Sequence, residues 1–484
     1  PTTRGFSILV ELFGEPDWDR VQVWRAAASS GDLVQVLSRI GRDLRARVAS
    51  AGPDTPVRPL PAVTTASLPA LKAYARAREA HARGHRPGAL ALGEGALVYD
   101  TLFPLAHHLV GDLLWFLDRQ EHAEAHLTRA YEQSALLPLR ERLIVKARYE
   151  QIVRDRPDSA LALWQALRAA YPEEVLGYEG MAWTLRALEQ FRWAAAAADT
   201  AMQLDPGARM PNANNRLYAL LSVGDTAEAL AFTSALRREA PRHLREASFA
   251  AALLAGDGSA ALAWTDSMMS PAGEEQTLRS YRRHFALLVM KRNEAAEREL
   301  EVVRVGEEKG QVLPRVLLIQ SVAESEAGRS SRAAELAREA LDWTASADLS
   351  PPALGRLAER AAITGAWVGD TALIRTAAAL VAGRDRGRNL RSYRSAGRAI
   401  AGAYAYANGS YREAAGLLHR AREESYFSRS VSTVALLEAD ALARAGEGGT
   451  AAALYRAIAS IGFPDGDWEP RGFLRMVARG RLSE

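Results

Sequence analysis

The 484-residue chain has no cysteine, which excludes a disulfide framework, a thiolate metal site and a cysteine nucleophile. Lysine is almost missing as well: only Lys72, Lys146, Lys291 and Lys309 stand among 61 basic residues, so the basic character rests on arginine. Net charge is nearly absent, at +3 from 61 basic and 58 acidic residues. That is too little to demand nucleic acid or a membrane surface as partner. No apolar run is long enough to span a bilayer, because the longest, 361–383, is broken by Asp370 and Arg375. Gly-x-Ser-x-Gly, phosphate-loop and dinucleotide signatures are also missing, and no catalytic or cofactor-binding residue can be assigned. The chain opens on Pro1 and enters a strand-like pattern with no signal-peptide pattern, and it reads as a piece of something longer.

What is present is a repeat. Apolar residues make up 48% and charged residues 25%, as in an ordinary folded protein. Within this background an alanine opening a helix recurs at Ala89, Ala123, Ala160, Ala194, Ala229 and Ala261, at intervals of 34, 37, 34, 35 and 32 residues. Gly84, Gly224, Gly256, Gly328, Gly369, Gly409 and Gly446 each follow a first helix, and in most units an alanine stands five residues later, as at Ala333, Ala414 and Ala451. Glycine tolerates the left-handed conformation, so the chain can reverse there within a few residues. Pro172, Pro206 and Pro241 punctuate the other ends. About eleven helix pairs fit between Ser67 and Gly462, with later spacings loosening to roughly 40 residues.

The ends differ from the middle. Phe6–Phe13 and Val21–Ala26 read as two strands joined by Gly14-Glu15-Pro16-Asp17, and Asp32–Val48 places Leu33, Val36, Leu37, Ile40, Leu44 and Val48 on one helical face. Four prolines in residues 51–63 favour an extended connection. The expected organisation is a partial α/β module over 1–50, a linker over 51–63, a helical array over 64–462 and a capping segment over 463–484.

A period near 34 built from two helices resembles the tetratricopeptide repeat (TPR). This resemblance implies a mostly α fold, an α-α solenoid coiled as a right-handed superhelix and preceded here by a small β-β-α remnant. The stretch Pro59-Leu60-Pro61-Ala62-Val63-Thr64-Thr65-Ala66-Ser67-Leu68, with Ala70-Leu71-Lys72-Ala73-Tyr74 and Leu137-Pro138-Leu139-Arg140-Glu141-Arg142, resembles the entry into the TPR region of bacterial serine/threonine kinases and related signalling regulators. In that family a catalytic or DNA-binding domain comes first. The resemblance implies a regulatory region that follows one, cytoplasmic or on the outer side of a membrane. No Gly-rich loop, His-Arg-Asp or Asp-Phe-Gly motif of the kinase itself is present in these residues.

Candidate sites follow from that frame. TPR first helices line a concave groove, which makes Trp183, Arg186, Asn214 and Tyr218 candidates for gripping a peptide; the bland reading of the aromatics is burial. Arg384, Arg386, Arg388, Arg391 and Arg394, with Arg398 and Tyr393 nearby, form the densest charge cluster, which is either an anion site or a solvated inter-repeat loop. The histidine pairs His81/His85, His122/His126 and His107/His108 lack a third ligand and read as structural, so no metal is expected. Glu179, Trp183, His243 and Ala247 stand where a carboxylate clamp would want Lys, Asn or Arg, which disfavours that subclass. The expected function is a non-enzymatic scaffold that binds a protein or peptide in the groove. The alternative is a helical-repeat nucleic-acid or anion binder using the arginines.

Overall fold

A computed structural model describes residues 6–14, 19–29, 32–48, 65–117, 119–206, 209–236, 241–267, 273–306, 312–425, 432–460 and 468–483. The proline-rich stretch 51–63, the turn residues Glu15–Asp17 and the segment Pro464–Asp467 lie outside them. The chain divides into two units, Pro1–Val153 and Arg154–Glu484.

The first unit opens with strands β1 (Phe6–Gly14) and β2 (Asp19–Ala28), paired antiparallel with Ile8 opposite Ala26 and Val10 opposite Trp24. Alternation decides which face is covered: Leu9 is 55% exposed, whereas Ile8, Val10, Trp24 and Ala26 pack on Val36 and Ile40 of helix α1 (Leu33–Val48). Helices α2 (Leu68–Ala82) and α3 (Arg86–Tyr99) follow, then α4 (Pro104–Phe116), α5 (Gln120–Glu132) and α6 (Leu139–Ile152).

The second unit is helical throughout its described residues. It begins with α7 (Pro157–Ala170) and continues through α8 (Val175–Ala187), α9 (Phe191–Leu204), α10 (Arg209–Val223), α11 (Thr226–Ala235), α12 (Pro241–Ala255) and α13 (Gly258–Ser267). Next come α14 (Gly273–Val289), α15 (Asn293–Gly306), α16 (Val312–Glu326), α17 (Ser330–Ser346), α18 (Pro351–Val368) and α19 (Thr371–Asp385). The chain ends with α20 (Arg391–Ala407), α21 (Tyr411–Glu424), α22 (Thr433–Arg444), α23 (Gly448–Ser460) and α24 (Trp468–Ser483). Even-numbered helices from α2 to α22 are first helices; α2–α5 form two pairs in the first unit and α8–α23 form eight in the second. The architecture is an α solenoid: within each unit the helices pack chiefly on their sequence neighbours, and one apolar cluster runs from Leu217 to Ala478.

One local geometry generates the repeat. The seven glycines after the first helices all have positive φ, from 76° to 85°. Three further turns put a non-glycine residue in the same place: Asp155 (φ 52°), Glu189 (φ 56°) and Lys291 (φ 57°). After this residue the next N–H reaches back five residues, as His85 does to Ala80 and Glu447 to Leu442, satisfying carbonyls that the helix end leaves open. Five residues after each of these left-handed positions stands a fully buried alanine, at Ala89, Ala160, Ala194, Ala229, Ala261, Ala296, Ala333 and Ala414, with Ala451 at 2% exposure. The exception is Ile374, and its extra bulk is met by Gly365 on α18, where a Cβ would stand 3.0 Å from Ile374 Cγ1. Small residues at this slot let the two helices of a pair close on each other.

The period also appears as ion pairs between successive second helices. Arg304 reaches Glu339 at 2.8 Å and Arg332 reaches Glu297 at 3.0 Å, both across 35 residues. Where the spacing loosens, the helices themselves are longer: α17, α18 and α20 have 17, 18 and 17 residues, against 13 and 14 for α8 and α9.

Two substitutions test this geometry. A non-glycine residue in the left-handed region is strained by about 1 kcal/mol, so Glu189→Gly should raise the midpoint of thermal unfolding although it removes a side chain. Ala296→Leu should lower stability by roughly 1–3 kcal/mol through overpacking. Thermal or urea unfolding of the two variants measures both, and unchanged stability of Ala296→Leu would contradict the close approach.

Candidate functional site

The first helices α8 and α10 carry the four residues proposed for a groove. Arg186 is only 5% exposed, with its guanidinium carbon 5.2 Å from the centre of the Tyr218 ring and its Nη1 donating to Asn215 Oδ1. Burial pushes its pKa down to about 10, against the opposing pull of Tyr218, so it remains charged at neutral pH. A second bridge joins the same helices where Asn212 Nδ2 donates to Glu179 at 2.8 Å. The structure thus brings Arg186 and Tyr218 together, and the arginine is held between two first helices by the ring and an amide. Trp183 and Asn214 are half-buried.

The other aromatic residues of α7 to α9 take different roles. Trp164 is 1% exposed and lies in the core against Gly180, where a Cβ would collide with its indole. Tyr178 donates its hydroxyl to the Pro172 carbonyl at 3.0 Å. Trp193 is 71% exposed and sits on α9, a second helix.

The arginine cluster is largely engaged in holding helix ends. Arg384 Nη2 donates to the carbonyls of Ala345 and Ala347, at 2.8 and 3.2 Å, at the C-terminal end of α17. Arg391 Nε donates to the Glu424 carbonyl at the end of α21, and its Nη1 pairs with Asp158 at 2.6 Å. Arg394 donates to the Asn389 carbonyl, Arg398 pairs with Glu424, and Tyr393 is buried. Arg386 adopts the left-handed conformation and is exposed, as are Arg388 and Arg394. A cleft of about 440 Å³ remains, with Arg154, Arg156, Arg388 and Arg394 on its rim.

The cluster also takes part in a contact that sequence reasoning missed. Asp155, buried to 3% exposure at its left-handed position, accepts the Ser392 N–H at 2.7 Å across 237 residues. The beginning of α7 and the beginning of α20 are therefore clasped together by Asp155–Ser392 and Asp158–Arg391. Its signal was available: Asp155 stands five residues before Ala160, in the slot usually filled by glycine.

The histidines pair differently from their sequence spacing. His107 Nε2 lies 2.9 Å from the Thr101 carbonyl, so this nitrogen carries the proton, and Nδ1 accepts from His126 Nδ1 at 3.0 Å. Burial, then His107, push the His126 pKa down to about 4. No group of three or more metal-ligating side chains occurs among the described residues.

The last helix makes a further arrangement. Beyond lying along α23, it meets the first helices α22, α14 and α12. Leu474, Val477 and Ala478 are buried there. Arg481 Nη2 donates to Glu326 of α16 at 2.8 Å, and its Nε lies 3.7 Å from Asp440 Oδ1 of α22. Asp440 also accepts from Trp367 Nε1 at 2.7 Å and from the Tyr455 hydroxyl. A cleft of about 1100 Å³ continues beside α24, between Val477 and Arg481 on one side and Lys291, Glu297 and Ala323 on the other.

No protein-family model and no curated protein matches the chain. Solved structures do match. A tetratricopeptide repeat protein from Parabacteroides merdae ATCC 43184 is 14% identical over 57% of this chain and 93% of its own, with a TM-score of 0.28. A Rap protein complexed with competence and sporulation factor is 12% identical over 86% of this chain and 98% of its own, at 0.44. The MamA RS-1 ArsTM double mutant is 17% identical over 35% and 95%, at 0.24. These are likenesses of fold alone and say nothing of a ligand. No described helix is long and apolar enough to cross a membrane.

The clasp makes stability depend on pH in a defined direction. Burial raises the Asp155 pKa from 3.8 to about 6, against the hydrogen bond from Ser392 and the charge of Arg391. Because the folded pKa lies above the unfolded one, its contribution is full below about pH 4 and is lost as pH rises through 6. Holding the group ionised above that costs about 3 kcal/mol. Asp155→Asn keeps an acceptor for the Ser392 N–H and should be more stable than the parent at pH 7.5, with the advantage shrinking toward pH 4.5. Unfolding midpoints at the two pH values decide it, and a pH-independent difference would contradict this account.

Proposed function

We propose that the chain is a non-enzymatic interaction scaffold that takes a protein or peptide on the faces of its first helices. The observation that carries this reading is α24: a helix already rests on the first helices α12, α14 and α22, so this surface accepts a helical segment. Trp183 and Asn214 stand on the first helices α8 and α10, which the Arg186–Tyr218 stack ties to each other. Affinity there would come from many side-chain contacts along stacked helices, without a reaction. In the signalling setting implied by the sequence resemblance, the array would recruit or regulate a kinase or other domain attached to it.

A second reading has one observation in its favour, the basic rim of Arg154, Arg156, Arg388 and Arg394 around the 440 Å³ cleft. It predicts binding of phosphate-bearing ligands that weakens steeply with salt and is lost in Arg388→Ala/Arg394→Ala.

Photo-reactive residues distinguish first-helix binding from contact elsewhere. Placed at Trp183 or Asn214, they should link the partner to the chain, whereas one at Trp193 on a second helix should not. Equal labelling from all three positions would remove the groove from this reading.

A further inference from the structure

We infer that the surface beneath α24 is a docking groove for an amphipathic, arginine-bearing helix of a partner protein, and that residues 468–483 occupy it in the partner's place. The inference rests on the scaffold reading above and names the ligand chemistry of one stretch of it.

A cap for the last pair needs only α22 and α23, because these are the helices left without a following neighbour. The last helix goes further and reaches α12 and α14, which belong to the third and fourth pairs of the second unit. It docks with residues at positions i, i+3, i+4 and i+7: Leu474, Val477 and Ala478 are buried, and Arg481 completes the stripe. This is the anchor spacing of a helix lying in a groove. Its opposite side, with Arg479, Leu482 and Ser483, is exposed.

The receiving surface is complementary in charge. Arg481 sits between Glu326 and Asp440, carboxylates from two different first helices. Asp440 keeps Trp367 and Tyr455 as donors when Arg481 is removed, so the cation serves docking more than the integrity of the core. The adjoining cleft of about 1100 Å³ leaves room for a ligand helix larger than α24. A tethered segment competes at an effective concentration in the millimolar range, so a partner binds with its affinity reduced by the fraction of time the groove is open.

A fluorescently labelled peptide of residues 468–483, titrated by anisotropy into the full chain, tests this. Binding to Arg481→Ala should be at least tenfold tighter than to the parent, and binding to Arg481→Ala/Val477→Asp tighter still. Adding Glu326→Lys to Arg481→Ala should abolish the gain. Thermal unfolding verifies that each variant is folded, and the single variant carries the test if the double one is not. Equal affinity for the parent and a folded Arg481→Ala chain, or no binding to either, overturns the inference. Labelling from Trp183 and Asn214 reports on the scaffold reading separately: if it persists while peptide binding fails, only the groove under α24 falls.

Discussion

The structure depends on the closeness with which two successive helices can turn on each other. A left-handed residue ends the first helix, and a side chain no larger than a methyl five residues later lets the second lie against it. Repeated at ten turns among the described residues, this fixes where the apolar faces point, and each pair then needs its neighbours to cover what remains. Larger side chains are admitted only where glycine yields the space, as at Ile374 with Gly365, Trp164 with Gly180 and Leu418 with Gly402.

Much of this fold was legible because glycine and buried alanine leave a visible period. The turns at Asp155, Glu189 and Lys291 were hidden, since residues that are unfavourable in the left-handed region carry no turn signal of their own. Only the alanine five residues on betrays them. The short strands and α1 were readable from alternation and helical period, because one face of each is covered and the other is not. The candidate sites were less legible. Arg186 and Tyr218 stand 32 residues apart, and nothing local says that the ring would cover the guanidinium. The arginines at 384–394 form a run of charge in the sequence, but Arg384, Arg391 and Arg394 donate to main-chain carbonyls, which composition cannot show.

The first helices carry two kinds of polar group with different consequences. Some bind the array together, as Glu179 with Asn212 and Ser321 with Thr364 at 2.9 Å do. Others meet the last helix: Asp440 does both, accepting from Trp367 and Tyr455 of the pairs while Arg481 of the last helix lies beside it, and Glu326 accepts from the same Arg481. A group that accepts from the last helix can exchange that donor without disturbing the packing of the pairs.

Where each helix pair packs chiefly on its neighbours, small rotations at successive junctions add up. The hydrogen bond from Ser392 to Asp155 and the pair between Arg391 and Asp158 tie two points of the second unit separated by more than 230 residues. Any extension of the stretch between α7 and α20 must break these contacts first. The clasp thus limits how far the junctions between α7 and α20 can rotate in the same sense while both contacts hold.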